Sequence, residues 1–151
     1  MSEPTDTTET TDAQTREANK KAVEKTFEVM ASHDFDALDD VMDEDLTFSD
    51  PLMEIEGLDD YKDLMRGRFS ALPDTHSTLH TMVAEDDVVV VHFSYRATHE
   101  EEYQGIEPTG NEVEGTAVMI DRFKDGKIVE RIEEFDTLSW FQQLGVDPSA
   151  I

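Results

Sequence analysis

The sequence predicts an α+β fold in which helices pack on one face of an antiparallel sheet. Three observations carry that prediction. Apolar residues at helical spacing dominate the first half, two hairpin-linked pairs of alternating segments fill the second, and a short amphipathic segment ends the chain.

Residues 1 to about 15 are polar, Thr-rich and without apolar periodicity, so they are expected to form a disordered tail. One domain is expected over 16–147, followed by a short tail over 148–151. A first helix is predicted from about Arg16 to Ser32, with Ala22, Val23, Phe27 and Met30 near helical spacing. Asp34-Phe35-Asp36-Ala37-Leu38 opens a short second helix whose apolar members are Leu38, Val41 and Met42. Leu46-Thr47-Phe48 reads as a brief strand halted by Asp50-Pro51. Gly57 precedes a third helix carrying Leu58, Tyr61, Leu64, Met65 and Phe69 on one stripe, with Pro73 beyond its end. Thr75–Ala84 and Val88–His99 flank Glu85-Asp86-Asp87 as a hairpin. Val113–Phe123 and Lys127–Phe135 flank Lys124-Asp125-Gly126, a stronger hairpin signal because glycine readily takes positive φ. A last helix from near Thr137 buries Trp140, Phe141 and Leu144 and stops at Gly145.

Composition narrows the classes of function. The 151 residues suffice for one domain with a sizeable core. There is no run of about eighteen apolar residues to span a membrane, and no signal-peptide pattern at the N-terminus. Cytoplasm is the default compartment. With no cysteine, disulfides, thiolate catalysis and Cys-ligated zinc are excluded. A net charge of −25 would repel a phosphate backbone, which argues against nucleic acid as a partner. The same charge strains the fold in dilute buffer. At roughly 1 M salt, where the Debye length is about 3 Å, that repulsion is largely screened. The composition reads as a halophilic adaptation, with most carboxylates forming a solvated acidic coat.

Candidate chemistry lies on the last two strands. Ala117, Met119 and Asp121 share one face of the first, and Val129, Arg131, Glu133 and Phe135 share a face of the second. Arg131 and Glu133 beside an aromatic suit an enclosed site, although an exposed polar face is the plainer reading. Asp50 follows a short apolar strand and precedes Pro51, which favours extended geometry and would aim its carboxylate across a pocket mouth. An Asp before Pro is also an ordinary turn former. The five histidines do not cluster. His76 and His80 are roughly 13 Å apart on a strand, too far for one metal. No metal and no cofactor are expected. The Gly105–Gly110 turn lacks the lysine and the strand-to-helix setting of a phosphate loop.

Together, several segments resemble the SnoaL-like (polyketide-cyclase-like) branch of the nuclear-transport-factor-2-like (NTF2-like) superfamily. They are Asp34-Phe35-Asp36-Ala37-Leu38, Ser49-Asp50-Pro51, Thr98-His99, Gly105-Ile106-x-Pro108-Thr109-Gly110, Arg122-Phe123-x-Asp125-Gly126-Lys127-Ile128-Val129-Glu130 and Phe141-Gln142-Gln143-Leu144-Gly145. The resemblance covers about Asn19 to Val146. It implies a cone in which a curved antiparallel sheet wraps N-terminal helices around a central pocket, and a homodimer packed through the sheet. It also implies an intramolecular aldol cyclase, related to ester cyclases, that works without metal or cofactor. The family's catalytic acid falls on Glu133 and its assisting His on Met119. Glutamate is longer by about 1.5 Å, and methionine cannot donate a hydrogen bond to an enolate. Ketosteroid isomerases on the same fold place their general base at a position matching Asp50-Pro51, while their oxyanion donors fall here on Thr26 and Met119.

Two readings are open. In the first, the chain is a cofactor-free enzyme abstracting a proton from a hydrophobic, carbonyl-bearing small molecule. Glu133 is then the general acid/base and Asp50 a second carboxylate, with Met119, Arg131, Phe93, Phe48 and Tyr61 as substrate-binding wall. Two carboxylates sharing an apolar cavity would divide acid and base roles between them. In the second, the same fold is a non-catalytic small-molecule-binding or dimerisation module.

Overall fold

The computed structural model describes residues 3–147 and 149. The outermost residues of both expected tails lie outside that range. Helix α1 runs Glu3–Ser32, so helix begins well before the expected start near Arg16. Pro4 stands in its first turn, where a missing N–H goes unused, and no glycine interrupts the helix beyond it. Asp12–Thr15 are exposed, so that part of the extension is local helix without packing. From Asn19 onward the helix buries Asn19, Val23, Thr26 and Val29 at spacings of three and four residues.

The second predicted helix is a 3-10 turn, Phe35–Asp40, which buries Phe35 and Leu38. Met42, expected to extend it, instead opens strand β1, Met42–Asp50. A strand with no sequence-level expectation, β2 (Met53–Glu56), pairs antiparallel with β1 across the Pro51–Leu52 turn. Helix α2 (Leu58–Ala71) comes next, then β3 (His76–Glu85), β4 (Val88–Thr98), β5 (Glu112–Lys124), β6 (Lys127–Phe135) and α3 (Thr137–Gln143).

The sheet runs β2-β1-β6-β5-β4-β3. Neighbours are antiparallel except β1 and β6, which run parallel and bring Phe48 opposite Arg131. That pairing joins the first strand to the last, so the sheet wraps the helices rather than lying beside them. Asp125 and Gly126 both take positive φ in the β5–β6 turn, as a tight hairpin of right-twisted strands requires. Just beyond it the register slips: Phe123 faces Ile128, yet Arg122 faces Glu130. Val129 is therefore the extra residue of a bulge, and it leaves the face expected to hold Val129, Arg131, Glu133 and Phe135. Ile128 takes its place in the core at 0% exposure.

One core lies between α1, α2 and the concave face of the sheet. A second cluster, formed by Ala71, Leu72, Ala97, Tyr103, Val113, Trp140, Phe141 and Leu144, seals the end beneath α3.

Candidate active site

The β5–β6 register sets the floor of a cavity. Ala117 faces Phe135, Met119 faces Glu133 and Asp121 faces Arg131, so four polar or polarisable groups line up on the concave side. Deepest is Arg131. Its Nε donates to Asp121 Oδ1 at 2.8 Å and its Nη2 to Asp121 Oδ2 at 2.7 Å. Nη1 donates to the Tyr61 hydroxyl at 3.1 Å, and Nη2 also reaches Thr26 Oγ1 at 2.9 Å. Arg131, Asp121, Tyr61 and Thr26 are all at most 1% exposed. Burial works against the Arg131 charge, but Asp121 and Tyr61 more than restore it, so the guanidinium stays protonated. Burial raises the Tyr61 phenol above its usual range, partly offset by Arg131. A buried ion pair survives desolvation only with good geometry and further hydrogen bonds, and this one has both.

Above it sits Asp50 at the end of β1. Its Oδ1 accepts from Leu52 N at 2.8 Å and Met53 N at 3.0 Å, bracing the β1–β2 turn. Its Oδ2 is buried and has no hydrogen-bond partner among the described residues. The turn-forming and cavity-facing roles expected as alternatives are thus divided between the two oxygens.

Sequence reasoning missed the residue at the centre. Arg68 of α2 stands between the two candidate carboxylates, with Nη2 3.5 Å from Asp50 Oδ2 and Nη1 3.6 Å from Glu133 Oε2. Both are ion-pair distances too long for hydrogen bonds. Its hydrogen bond runs from Nε to the Tyr103 hydroxyl at 3.0 Å. Burial opposes its charge, and Tyr103 and Glu133 more than restore it, so Arg68 also stays protonated. The expected pair of carboxylates alone in an apolar cavity is therefore a carboxylate–guanidinium–carboxylate row. A readable signal existed: Arg68 comes seven residues after Tyr61 and three after Met65, which puts one cation on the apolar stripe of α2.

The cavity over this row has a volume of about 110 Å³, room for far more than the ~15 Å³ that one water needs. Asp50, Glu133, Met119, Arg131, Phe93 and Tyr61 line it, as do Thr26, Arg68, Tyr95, Tyr103, Phe135 and Trp140. Phe48 does not. It is 2% exposed and packs on Tyr61 at a ring-centroid distance of 5.1 Å, behind the wall rather than on it. The plain reading of Arg131 and Glu133 as an exposed face is excluded, because Arg131 is 1% exposed, the Glu133 side chain 12%, and both line the cavity. Tyr95, Tyr103 and Phe135 surround the Trp140 ring at 6.1–6.5 Å. The Tyr95 phenol is pushed up to about 12 by burial, then by Glu133 and Asp136, with Arg68 pulling the other way.

His80 pairs with Ser94 at 2.9 Å and lies beside the His92 ring, on the outer face of the sheet. Among the described residues no group of three or more His, Asp or Glu is placed to hold a metal ion, and no helix is long and apolar enough to cross a membrane.

A curved sheet wrapped on helices around an acid-lined apolar cavity defines a small-molecule-pocket fold of the NTF2-like class. The chain belongs to the SnoaL-like polyketide cyclase family, whose sequence model matches residues 10–144. Among solved structures it is similar to AclR of Streptomyces galilaeus, a proposed hydroxylase, at 26% identity and a TM-score of 0.76, covering 86% of this chain and 97% of that one. It is also similar to a proposed SnoaL-like polyketide cyclase of Jannaschia sp. CCS1, at 19% identity and a TM-score of 0.81 over 88% and 95%. A third is an LEH-like epoxide hydrolase of M. tuberculosis, at 18% and 0.70 over 85% and 90%. The last two likenesses bear on the fold alone. No curated protein matches the chain.

Proposed function

We propose that the cavity binds a hydrophobic, carbonyl-bearing small molecule and that Glu133 moves a proton on it, in the manner of an intramolecular aldol cyclase. The observation that carries this reading is Arg68 between Asp50 and Glu133. The family's assisting His is Met119 here, which leaves a developing enolate without its usual donor. A protonated guanidinium facing the same cavity replaces it, and preorganised positive donors of this kind are usually the largest catalytic contribution.

The chemistry balances without a co-reactant. Glu133 takes a proton from the carbon next to a carbonyl, and the C–H electron pair moves into a new C=C bond. The carbonyl oxygen becomes an enolate oxygen facing the Arg68 Nη groups. The enolate carbon then attacks a second carbonyl of the same molecule, and the resulting alkoxide recovers the proton from Glu133. Asp50 holds the far side of Arg68, with one oxygen committed to the turn. Glu133, whose carboxylate makes no hydrogen bond among the described residues and whose side chain is 12% exposed, is free to approach a carbon acid. General acid–base catalysis of this type contributes about 10² to 10⁴-fold.

The test is exchange of the α-protons of 2-tetralone in D2O at molar salt, monitored by proton NMR. Wild type should accelerate exchange, and Glu133→Gln should lose most of the acceleration while keeping its fold. An unchanged rate in that variant removes Glu133 from the chemistry. Met119 also favours a second reading, a binding module. In that case wild type would bind apolar ketones without exchanging their protons.

A further inference from the structure

We infer that Tyr103 is a second oxyanion donor acting beside Arg68, and that the Gly105–Gly110 turn serves to hold it there. The inference rests on the carbonyl-activating reading above. Tyr103 lies outside every regular element, yet it is 7% exposed and lines the cavity. Its hydroxyl accepts the Arg68 Nε hydrogen bond at 3.0 Å. Having accepted there, the phenol still has its own proton to donate, and among the described residues that proton has no acceptor. A phenol that accepts from a cation is polarised into a better donor. The same contact fixes the guanidinium plane, so that the Nη groups face Asp50 and Glu133. Arg68 and Tyr103 thus form one unit with donors of two kinds beside the same carboxylates.

The chain around Tyr103 is built to keep it in place. Tyr103 and Ile106 exchange both backbone hydrogen bonds, at 3.0 and 2.9 Å, around a two-residue turn in which Gln104 and Gly105 both have positive φ. The Glu102 carboxylate accepts from Gly105 N at 2.8 Å and closes that turn. One end of the loop is tied to the last turn of α2, with Glu100 N donating to Ala71 O at 2.8 Å and Ser70 Oγ to Glu101 Oε2 at 2.8 Å. The other end is tied to its own start, with Gly110 N donating to His99 O at 2.9 Å. Arg68 stands three residues before Ala71 on the same helix. The phenol and the guanidinium are therefore referenced to one short piece of backbone, an arrangement suited to a donor pair that must not reorganise during a reaction. The Trp140 ring packs edge-on against Tyr103 at 6.5 Å and limits where the phenol can swing.

In the proposed step Tyr103 keeps its proton: it donates a hydrogen bond to the enolate oxygen and nothing is transferred. Tyr103→Phe deletes only the hydroxyl and preserves the ring contact with Trp140. Two measurements at molar salt decide the role. In 2-tetralone exchange, Tyr103→Phe should lower kcat by about 10² and leave KM within about twofold, as expected for one oxyanion donor. In calorimetry, 2-naphthol, which carries an enol-like oxygen, should lose affinity in Tyr103→Phe, while naphthalene should bind as it does to wild type. Equal losses for both probes would make Tyr103 a packing residue and overturn the proposal. So would an unchanged kcat, or a wild type that binds the two probes equally. Arg68→Met separates this idea from its parent. If Arg68→Met and Glu133→Gln abolish exchange while Tyr103→Phe does not, only the Tyr103 role falls. If none of the three has an effect, the proton-transfer reading falls first.

Discussion

The cavity holds two arginines, and they stand in opposite relations to their carboxylates. Arg131 meets Asp121 in a bidentate contact at 2.7 and 2.8 Å, with Tyr61 and Thr26 completing its shell. Arg68 meets Asp50 and Glu133 at 3.5 and 3.6 Å without a hydrogen bond to either. The same chemical pair is closed in one place and left open in the other. A closed pair contributes a fixed floor and has little left to offer a ligand. An open one keeps charge and donors available, which is the condition for interacting more strongly with a transition state than with the ground state.

The largest effect should come from breaking the closed pair. Asp121→Asn leaves the Arg131 charge buried beside an amide, and removing one partner of a buried pair typically destabilises by about 3–5 kcal/mol. For a chain of this size that is on the order of 10 °C in Tm. Toward its carboxylates Arg68→Met breaks only the longer contacts at 3.5 and 3.6 Å, so it should lower Tm by less than Asp121→Asn and still fail in exchange. Thermal melts of the two variants at molar salt test the contrast directly. If Arg68→Met melts as early as Asp121→Asn, both arginines are structural and the distinction is lost.

How much of this was legible in the sequence depends on the range of each interaction. Strand alternation placed Met119 with Asp121 and Arg131 with Glu133, because period two is a local property of the backbone. It failed at Val129, where one bulged residue shifts the face, and a bulge has no local signature in Lys127-Ile128-Val129-Glu130. Asp50 was readable through Pro51, but the division of labour between its two oxygens depends on where β2 returns. The parallel pairing of β1 with β6 joins Phe48 to Arg131, eighty-three residues apart in sequence, and nothing nearby announces it. That pairing also put Phe48 behind the wall. Arg68 was visible as a cation on an apolar stripe, though a helix alone does not say which carboxylates it will meet. Tyr103 sits in a loop whose glycines announce a turn and not its purpose.

A smaller effect probes the wall near the open pair. Tyr95 faces Gly115 across β4 and β5, and a Cβ at Gly115 would lie 2.8 Å from the Tyr95 hydroxyl and 3.1 Å from its ring carbon Cζ. Gly115→Ala must therefore turn the phenol off its present seat. Because the clash is with the far end of a side chain, the loss should be on the order of 1 kcal/mol, at the low end for overpacking. Tyr95→Phe removes the nearer contact, so in a denaturation cycle the double variant should lose less than the sum of the two single variants. Strict additivity would mean that Tyr95 does not rest on Gly115.

The smallest effect reads the charge of the open pair without any ligand. The chain has three tyrosines, and Tyr95 is the one whose phenol is pushed up to about 12, by burial first and by Glu133 next, with Arg68 opposing. Its folded value lies above the ordinary 10.0. The stability it contributes is thus fully present below pH 10 and is lost as pH rises from about 10 to about 12. Glu133→Gln removes a negative charge beside the phenol, so Tyr95 should then ionise at lower pH. Arg68→Met removes the opposing cation, so Tyr95 should ionise at higher pH. Alkaline absorbance titration of each variant, with Tyr95→Phe identifying the transition, measures both displacements. Opposite signs place Tyr95 in the field of the open pair. Displacements of the same sign, or none, would mean that burial alone sets its titration, and the phenol would then say nothing about whether Arg68 and Glu133 act on one site.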